Sequence, residues 1–211
     1  MSKIKAILFD MDGVLVDAKE WHYEALNRAL KLFGMEITRY EHITNYDGLP
    51  TSKKLQMLSL ERNLPNELHD FIAKLKQTYT MELVYTRCKP VFNVQYTLSK
   101  LKGEGYRLAV CSNAVKSSVK MMIERSQLSE FVDFSLSNED VKKPKPDPEI
   151  YLTTMKMFDL SPKECLILED NQNGIMAAKA SGAHLLKVDN VGDVTYYNIK
   201  TEISRIEKEL C

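Results

Sequence analysis

The chain opens on a run in which apolar residues do not alternate with polar ones. Ile4 to Phe9 is interrupted only by Lys5 and then breaks off in Asp10, Met11, Asp12 and Gly13. Such a run predicts a central strand of a parallel sheet, covered on both faces. From Asp17 to Arg87 the period changes. Trp21, Ala25, Leu26, Ala29, Leu30 and Phe33 recur at helical spacing and stop at Gly34. Thr51 and Ser52 are expected to cap a short helix bearing Leu55, Leu58 and Leu60, and Leu64-Pro65 opens a longer one with Leu68, Phe71, Ile72, Leu75 and Tyr79. Thr38 to Pro50 reads as loop or broken helix, and nothing in the stretch has strand character. Strand and helix then alternate: a helix from Phe92 through Leu101, a strand from Tyr106 to Cys111, a helix, and a short strand within Phe131 to Ser137. Asp147-Pro148 heads the next helix, followed by a strand from Cys165 to Leu168, a helix ending at Ser181-Gly182, a strand from His184 to Val188 and a terminal helix from Glu202 to Leu210.

This alternation predicts an α/β fold: a doubly wound parallel sheet built from residues 1–16 and 89–211, with an inserted all-helical unit at 17–88. At 211 residues the chain can bury one sizeable core and one small one. Lys plus Arg and Asp plus Glu each number 29, for a formal net charge of zero, and the basic residues form no run. Neither nucleic acid nor an anionic membrane surface is therefore an expected partner. No apolar run reaches membrane-spanning length and the amino terminus leads straight into a strand, so a cytoplasmic, monomeric protein is expected. Cys88, Cys111, Cys165 and Cys211 form no CxxC pair, which points to small buried side chains and away from a disulfide or zinc site.

The chemistry is concentrated where strands stop. In an open α/β sheet the carboxyl ends of the strands form the ligand crevice, and three of them end in polar pairs: Asp10/Asp12, Ser112/Asn113 and Glu169/Asp170. The two carboxylates at 10 and 12 lie on one side of an extended chain and repel each other. At ~4 Å and an effective dielectric of about 20 the cost is roughly 4 kcal/mol, so a site holding both needs a cation, a shared proton, or both. With Glu169 and Asp170 they form a hard, oxygen-only set suited to Mg²⁺. Ser112 and Asn113 precede a helix, whose N-terminus favours an anion, and the lysine-rich tract Lys142 to Pro148 adds positive charge. A divalent ion beside a phosphate pocket implies phosphoryl transfer.

Four ordered segments, Phe9-Asp10-Met11-Asp12-Gly13-Val14, Ser112-Asn113, Lys143-Pro144-Lys145-Pro146-Asp147 and Leu168-Glu169-Asp170, resemble the motifs of the haloacid dehalogenase superfamily in its phosphatase and phosphomutase branch. The helical insertion is similar to the small cap of the subgroup containing beta-phosphoglucomutase and phosphoglycolate phosphatase. The resemblance implies a Rossmann-like core, with Asp10 as nucleophile forming an aspartyl-phosphate and Asp12 as general acid and base, which requires its acid form to be populated near neutral pH. It implies Mg²⁺ held by the Asp10 carboxylate, the Asp12 carbonyl and Asp170, with Glu169 nearby, and phosphoryl oxygens held by Ser112, Asn113 and Lys143. Motif spacing selects Lys143 over Lys142 and Lys145. His22, on the first cap helix, is left between a substrate contact and a structural residue.

Specificity is expected from the cap loop Tyr46-Asp47-Gly48-Leu49-Pro50-Thr51. The positions resembling the mutase's basic loop residues carry Asp47 and Thr51, and Asp47 would repel a second phosphate. The expectation is a phosphatase acting on a small phosphate ester with hydroxyl or amino groups at its far end, such as a sugar or polyol phosphate. Lys53, Lys54 and Arg87 are the residues that could swing a positive charge toward the site. A hexose phosphomutase is the alternative, and a phosphate-sensing protein without turnover stands third.

Overall fold

The computed structural model describes residues 3–209; Cys211 and the expected helix end at Leu210 lie outside the described residues. β1 (Ala6–Phe9), β2 (Arg107–Cys111), β3 (Phe134–Leu136), β4 (Cys165–Glu169) and β5 (His184–Lys187) pair in parallel in the order β3-β2-β1-β4-β5. Phe9 stands level with Val110 of β2 and Leu168 of β4, so the three strand ends form one rim. The strand order reverses about β1, which makes the rim beside it the crevice of the sheet.

Both faces of β1 are buried because its alternate residues enter different cores. Ile7 and Phe9 join Leu108, Val110, Leu166 and Leu168 under α5 (Phe92–Gly103), α6 (Lys116–Arg125) and α9 (Tyr196–Glu209). Ala6 and Leu8 join Ala109, Cys111, Cys165 and Ile167 under α7 (Glu149–Phe158) and α8 (Gln172–Ser181). Cys88, Cys111 and Cys165 are free and buried, as small apolar side chains.

Between β1 and α5 lie α1 (Lys19–Lys31), the single turn α2 (Arg39–Glu41), α3 (Thr51–Arg62) and α4 (His69–Arg87), with a third apolar cluster that includes Leu26, Leu30, Leu55, Leu58 and Ile72. Gly34 closes the region after α1 at φ +68°. The segment expected as loop contains α2, capped by Thr38, and a π-helical turn at His42–Tyr46. Pro50, not Thr51 or Ser52, occupies the cap position of α3, and no side chain caps it. Leu60 and Phe71 share the helical period yet face outward. The last helix starts at Tyr196, ahead of the expected Glu202.

Candidate active site

The chain turns sharply at the end of β1. Asp10 N–H extends the ladder to Leu168 O, and the N–H groups of Leu15 and Val16 both return to Met11 O. Gly13 makes the turn at φ +91°, and a Cβ there would stand 2.0 Å from Asp170 Oδ2, so the position needs glycine for its backbone and for its neighbour. Asp10 is buried at the rim. Burial and the nearby Glu169, Asp170 and Asp12 carboxylates hold its pKa well above the usual carboxylate range, against the pull of Lys145.

Lys145, not Lys143, is the lysine of the site. Its buried ammonium donates to Asp10 Oδ1 at 2.6 Å, Glu169 Oε1 at 2.6 Å and Cys111 O at 2.7 Å, so all three donors are used. Lys143 is 74% exposed, with its Nζ 4.0 Å from Asp147 on the outer surface, and does not reach the rim. The reason is one of frame. The tract reads Lys-Pro-x-Pro twice, at Lys143 and again at Lys145, and the second frame runs directly into α7 through Pro148. Asp147 Oδ1 accepts from Glu149 N–H at 3.0 Å, and Glu149 in turn accepts from the N–H groups of Lys142 and Lys143, which fixes the tract with Lys145 turned inward.

Asn113 locks that arrangement. Its Oδ1 accepts from Lys145 N–H at 2.9 Å, while its Nδ2 donates to Lys145 O at 3.0 Å and to Gly48 O of the cap loop at 2.9 Å. Its side chain is therefore committed to protein partners. Ser112 is buried, with its hydroxyl accepting from Ala114 N–H at 3.0 Å.

Glu169 is fully buried. Besides Lys145 it accepts from the Tyr151 hydroxyl and, at 3.3 Å, from Asn171 Nδ2. Asn171 also caps α8 by accepting from Gly174 N–H at 3.0 Å. Gly174 is the residue that lets α8 approach, since a Cβ there would stand 1.9 Å from the Glu169 carboxyl carbon. Asp170 Oδ2 lies 2.5 Å from Lys19 Nζ. Oxygens of Asp10, Glu169 and Asp170 come within 4.8 Å of one another, a hard-donor cluster of the kind that holds a divalent cation. The crowding that raises Asp10's pKa is what such an ion would relieve. The Asp12 carboxylate is not part of this cluster.

Asp12 turns instead toward the cap and accepts from His22 Nε2 at 2.9 Å. His22 Nδ1 is 3.3 Å from Lys76 Nζ. An ammonium has only donors, so Lys76 makes Nδ1 the acceptor and leaves the ring proton on Nε2, aimed at Asp12. Burial lowers the His22 pKa, against the pull of the Asp12 carboxylate. Burial alone would raise the Asp12 pKa, but His22, Lys76 and Lys54 together bring it below the usual value. These surroundings favour the carboxylate, opposite to the direction a resting acid requires.

Asp12, Asp10, Lys145 and Asn113 floor a cleft of about 310 Å³ whose other wall is the cap: Asp47, Gly48, Leu49, Lys54 and Lys76. Gly48, at φ +70°, lets the loop approach closely, since a Cβ there would stand 2.6 Å from Asn171 Oδ1. Asp47 O accepts from Asn173 Nδ2 at 3.3 Å, and its carboxylate lies 3.8 Å from Lys19 Nζ. Of the three cap cations considered from sequence, only Lys54 reaches the cleft. Lys53 is exposed, and Arg87 forms a forked pair with Glu24 at 2.7 and 3.2 Å. The sequence pattern gives Lys76, Lys19, Tyr151 and Gly174 no role in the site. Lys76 and Tyr151 occupy positions of apolar helical faces, where a polar residue is itself a signal.

A sequence profile of the haloacid dehalogenase-like hydrolases matches residues 7–188. The phosphorylated carbohydrates phosphatase of Thermotoga maritima is 28% identical, over 85% of this chain and 82% of its own length. The phosphoglycolate phosphatase of Aquifex aeolicus is 30% identical over the same shares, 85% and 82%. Among solved structures, the beta-phosphoglucomutase of Clostridium difficile has the same fold with a TM-score of 0.82 at 21% identity, covering 96% of this chain and 98% of that one. A profile match over most of the chain, relatives of nearly equal span and a rim carrying the motif carboxylates lead to one assignment: the chain belongs to the haloacid dehalogenase-like hydrolase family.

Proposed function

We propose that the protein is a Mg²⁺-dependent phosphatase that hydrolyses a small phosphate monoester through a covalent phosphoryl group on Asp10. The observation that carries this reading is the position of Asp10: at the floor of the cleft, bonded to Lys145, and in one cluster with Glu169 and Asp170. Asp10, Glu169 and Asp170 would hold the metal, which supplies positive charge to a phosphoryl group and to the carboxylates around it.

In the first step an Asp10 oxygen attacks phosphorus and the ester P–O bond breaks. Asp12 gives its proton to the leaving oxygen. In the second, the Asp12 carboxylate takes a proton from water, whose oxygen attacks phosphorus, and the bond to Asp10 breaks to release phosphate. Asp12 is held anionic by His22 and the cap lysines, so its proton is taken up when the substrate's own negative charge enters beside it and raises its pKa again. Lys145 orients the nucleophile and offsets charge on the transferring group.

Residues 17–88 act as the cap, hinging near Val16-Asp17 and Cys88-Lys89 and docking through the Asp47 and Gly48 carbonyls. Three free buried cysteines suit a cytoplasmic protein, and among the described residues no helix is long and apolar enough to cross a membrane. Phosphate release from p-nitrophenyl phosphate tests the reading: turnover requires Mg²⁺ and is abolished by Asp10→Asn. An Asp10→Asn variant as active as the wild type overturns it.

A phosphomutase is the second reading, favoured by the two cap lysines over the cleft. It predicts isomerisation of a hexose phosphate activated by a bisphosphate, where a phosphatase gives phosphate release alone.

A further inference from the structure

Lys19 is a cation in an unfavourable place. It is the first residue of α1, where the helix dipole disfavours positive charge, and Ala18 before it supplies no side-chain cap. Its side chain does not run out into solvent. It folds back across the turn after β1, so closely that a Cβ on Gly13 would stand 2.6 Å from Lys19 Cε. There its ammonium meets two carboxylates from different parts of the fold: Asp170 Oδ2 of the core at 2.5 Å and Asp47 Oδ2 of the cap loop at 3.8 Å. The Asp47 carboxylate, expected from sequence to repel a second phosphate, is thus turned toward Lys19.

Asp170 Oδ1 accepts from Asn171 Nδ2 at 3.3 Å, and its Oδ2 is buried beside the Lys19 ammonium. A divalent ion held by Asp10, Glu169 and Asp170 would bring two positive charges up to that ammonium. Cations crowded onto one buried carboxylate repel each other strongly, and the ammonium, on a flexible four-carbon stem that is one-third exposed, is the one free to move. The carboxylate next in reach is Asp47. The backbone around it already rests on the core, with Asp47 O accepting from Asn173 and Gly48 O from Asn113, and Gly48 lies against Asn171, the neighbour of Asp170. An ammonium that passes from Asp170 to Asp47 adds a charge-assisted contact to a loop docked by these neutral hydrogen bonds.

Resting on the metal-dependent phosphatase reading, we propose that Lys19 couples the divalent ion to the cap: the ion displaces its ammonium from Asp170 to Asp47, and the pair so formed holds the cap loop on the core. Linkage makes the effect reciprocal, since an ion that tightens the docked loop is itself tightened by Asp47. The cap is thereby committed to a site whose metal is in place.

The test titrates the metal-free protein with Mn²⁺ by calorimetry in four forms: wild type, Lys19→Gln, Asp47→Ala and the double variant. Asp47→Ala removes a negative charge near the cluster, and that charge alone weakens binding by the same factor whether or not Lys19 is present. The coupling adds a further loss, of about threefold or more, only where Lys19 is present. Lys19→Arg keeps this excess, and so does Lys31→Gln, which removes an exposed charge at the other end of α1. Hydrogen exchange of the peptide spanning residues 46–50 is the second readout: saturating Mn²⁺ slows it in the wild type and not in Lys19→Gln. An Asp47→Ala effect equal with and without Lys19 overturns the proposal, as does slowing at 46–50 that persists in Lys19→Gln or is missing from the wild type. Each of these outcomes leaves the phosphatase reading standing while the wild type hydrolyses p-nitrophenyl phosphate with Mg²⁺. A wild type that binds neither Mn²⁺ nor Mg²⁺ defeats that reading and this one with it.

Discussion

Lys145 Nζ lies 2.6 Å from both Asp10 Oδ1 and Glu169 Oε1, so a single ammonium ties the ends of β1 and β4 together at the crevice of the sheet. Removing one partner of a buried ion network leaves the others uncompensated, at a typical cost of about 3 to 5 kcal/mol. Lys145→Met is expected to lower the unfolding temperature and to reduce kcat/KM by about a hundredfold or more, as for loss of a charge-stabilising donor. Lys143→Met, on the outer surface, is expected to change neither measurably. Steady-state kinetics and thermal unfolding of the two variants decide it, and the reverse order of effects would restore Lys143 to the site.

Gly174 inverts the usual rule for glycine in a helix. Replacing a helical glycine by alanine ordinarily stabilises by about 1 kcal/mol. Here the new methyl would stand 1.9 Å from the Glu169 carboxyl carbon, which is held by Lys145 and Tyr151 and cannot retreat cheaply. Gly174→Ala is expected to destabilise the protein, read as a lower denaturation midpoint. Gly103→Ala, at the end of α5 with nothing within 4 Å of the added carbon, is the internal control and is expected to be neutral or stabilising. Equal effects from the two would remove the packing argument.

The contrast between Gly174 and Asp10 shows where sequence reading reaches its limit. Asp10 was visible because an apolar run covered on both faces can end in a carboxylate only for a reason, and the alternation that follows fixes which rim it occupies. Gly174 acts through a helix and a strand end that meet only in three dimensions. Lys145 was within reach, since the second Lys-Pro-x-Pro frame is continuous with a helix start, but two overlapping frames cannot be separated by charge alone. Lys54 and Lys53 differ only in about 100° of helical rotation, and the apolar positions Leu55 and Leu58 place Lys54 on the inward side. Arg87 was as plausible a cation until Glu24, 63 residues away, took it. Local pattern thus carried the fold and the motif carboxylates, while long-range pairing decided which cations serve the site.

Lys19 faces Asp170 at 2.5 Å and Asp47 at 3.8 Å, which links a ligand of the expected metal to the cap loop. A divalent ion bound to Asp10, Glu169 and Asp170 competes with that ammonium for Asp170. Lys19→Gln is therefore expected to tighten Mg²⁺ or Mn²⁺ binding, by about threefold to tenfold if the displaced pair is worth about 1 kcal/mol. Calorimetric titration of the metal-free protein reads this without reference to turnover. Unchanged or weaker binding would mean that Lys19 supports the cluster instead of competing with it.

The buried Lys54 should be a cost to the fold, with a sign that pH reveals. In the folded protein it loses its proton near pH 8, against 10.5 for an ordinary lysine. Between those values the unfolded chain binds the extra proton, so stability rises with pH there; the penalty is full below about pH 8 and is gone above about 10.5. Lys54→Met is thus expected to be more stable than the wild type at pH 7 by about 1 to 3 kcal/mol, and the gap should narrow by pH 10. Comparing the two proteins at each pH cancels the tyrosines and the lysines remote from Lys54; Lys76, which burial and then Lys54 push down to about 7, is relieved when Lys54 is removed and adds to the gap at neutral pH. A gap that stays constant with pH would show that methionine gains by packing alone, and a less stable variant would show that the lysine stem is better packed than its ammonium is strained. A gap that closes as predicted identifies a charge the fold retains on the wall of the cleft at the expense of its own stability.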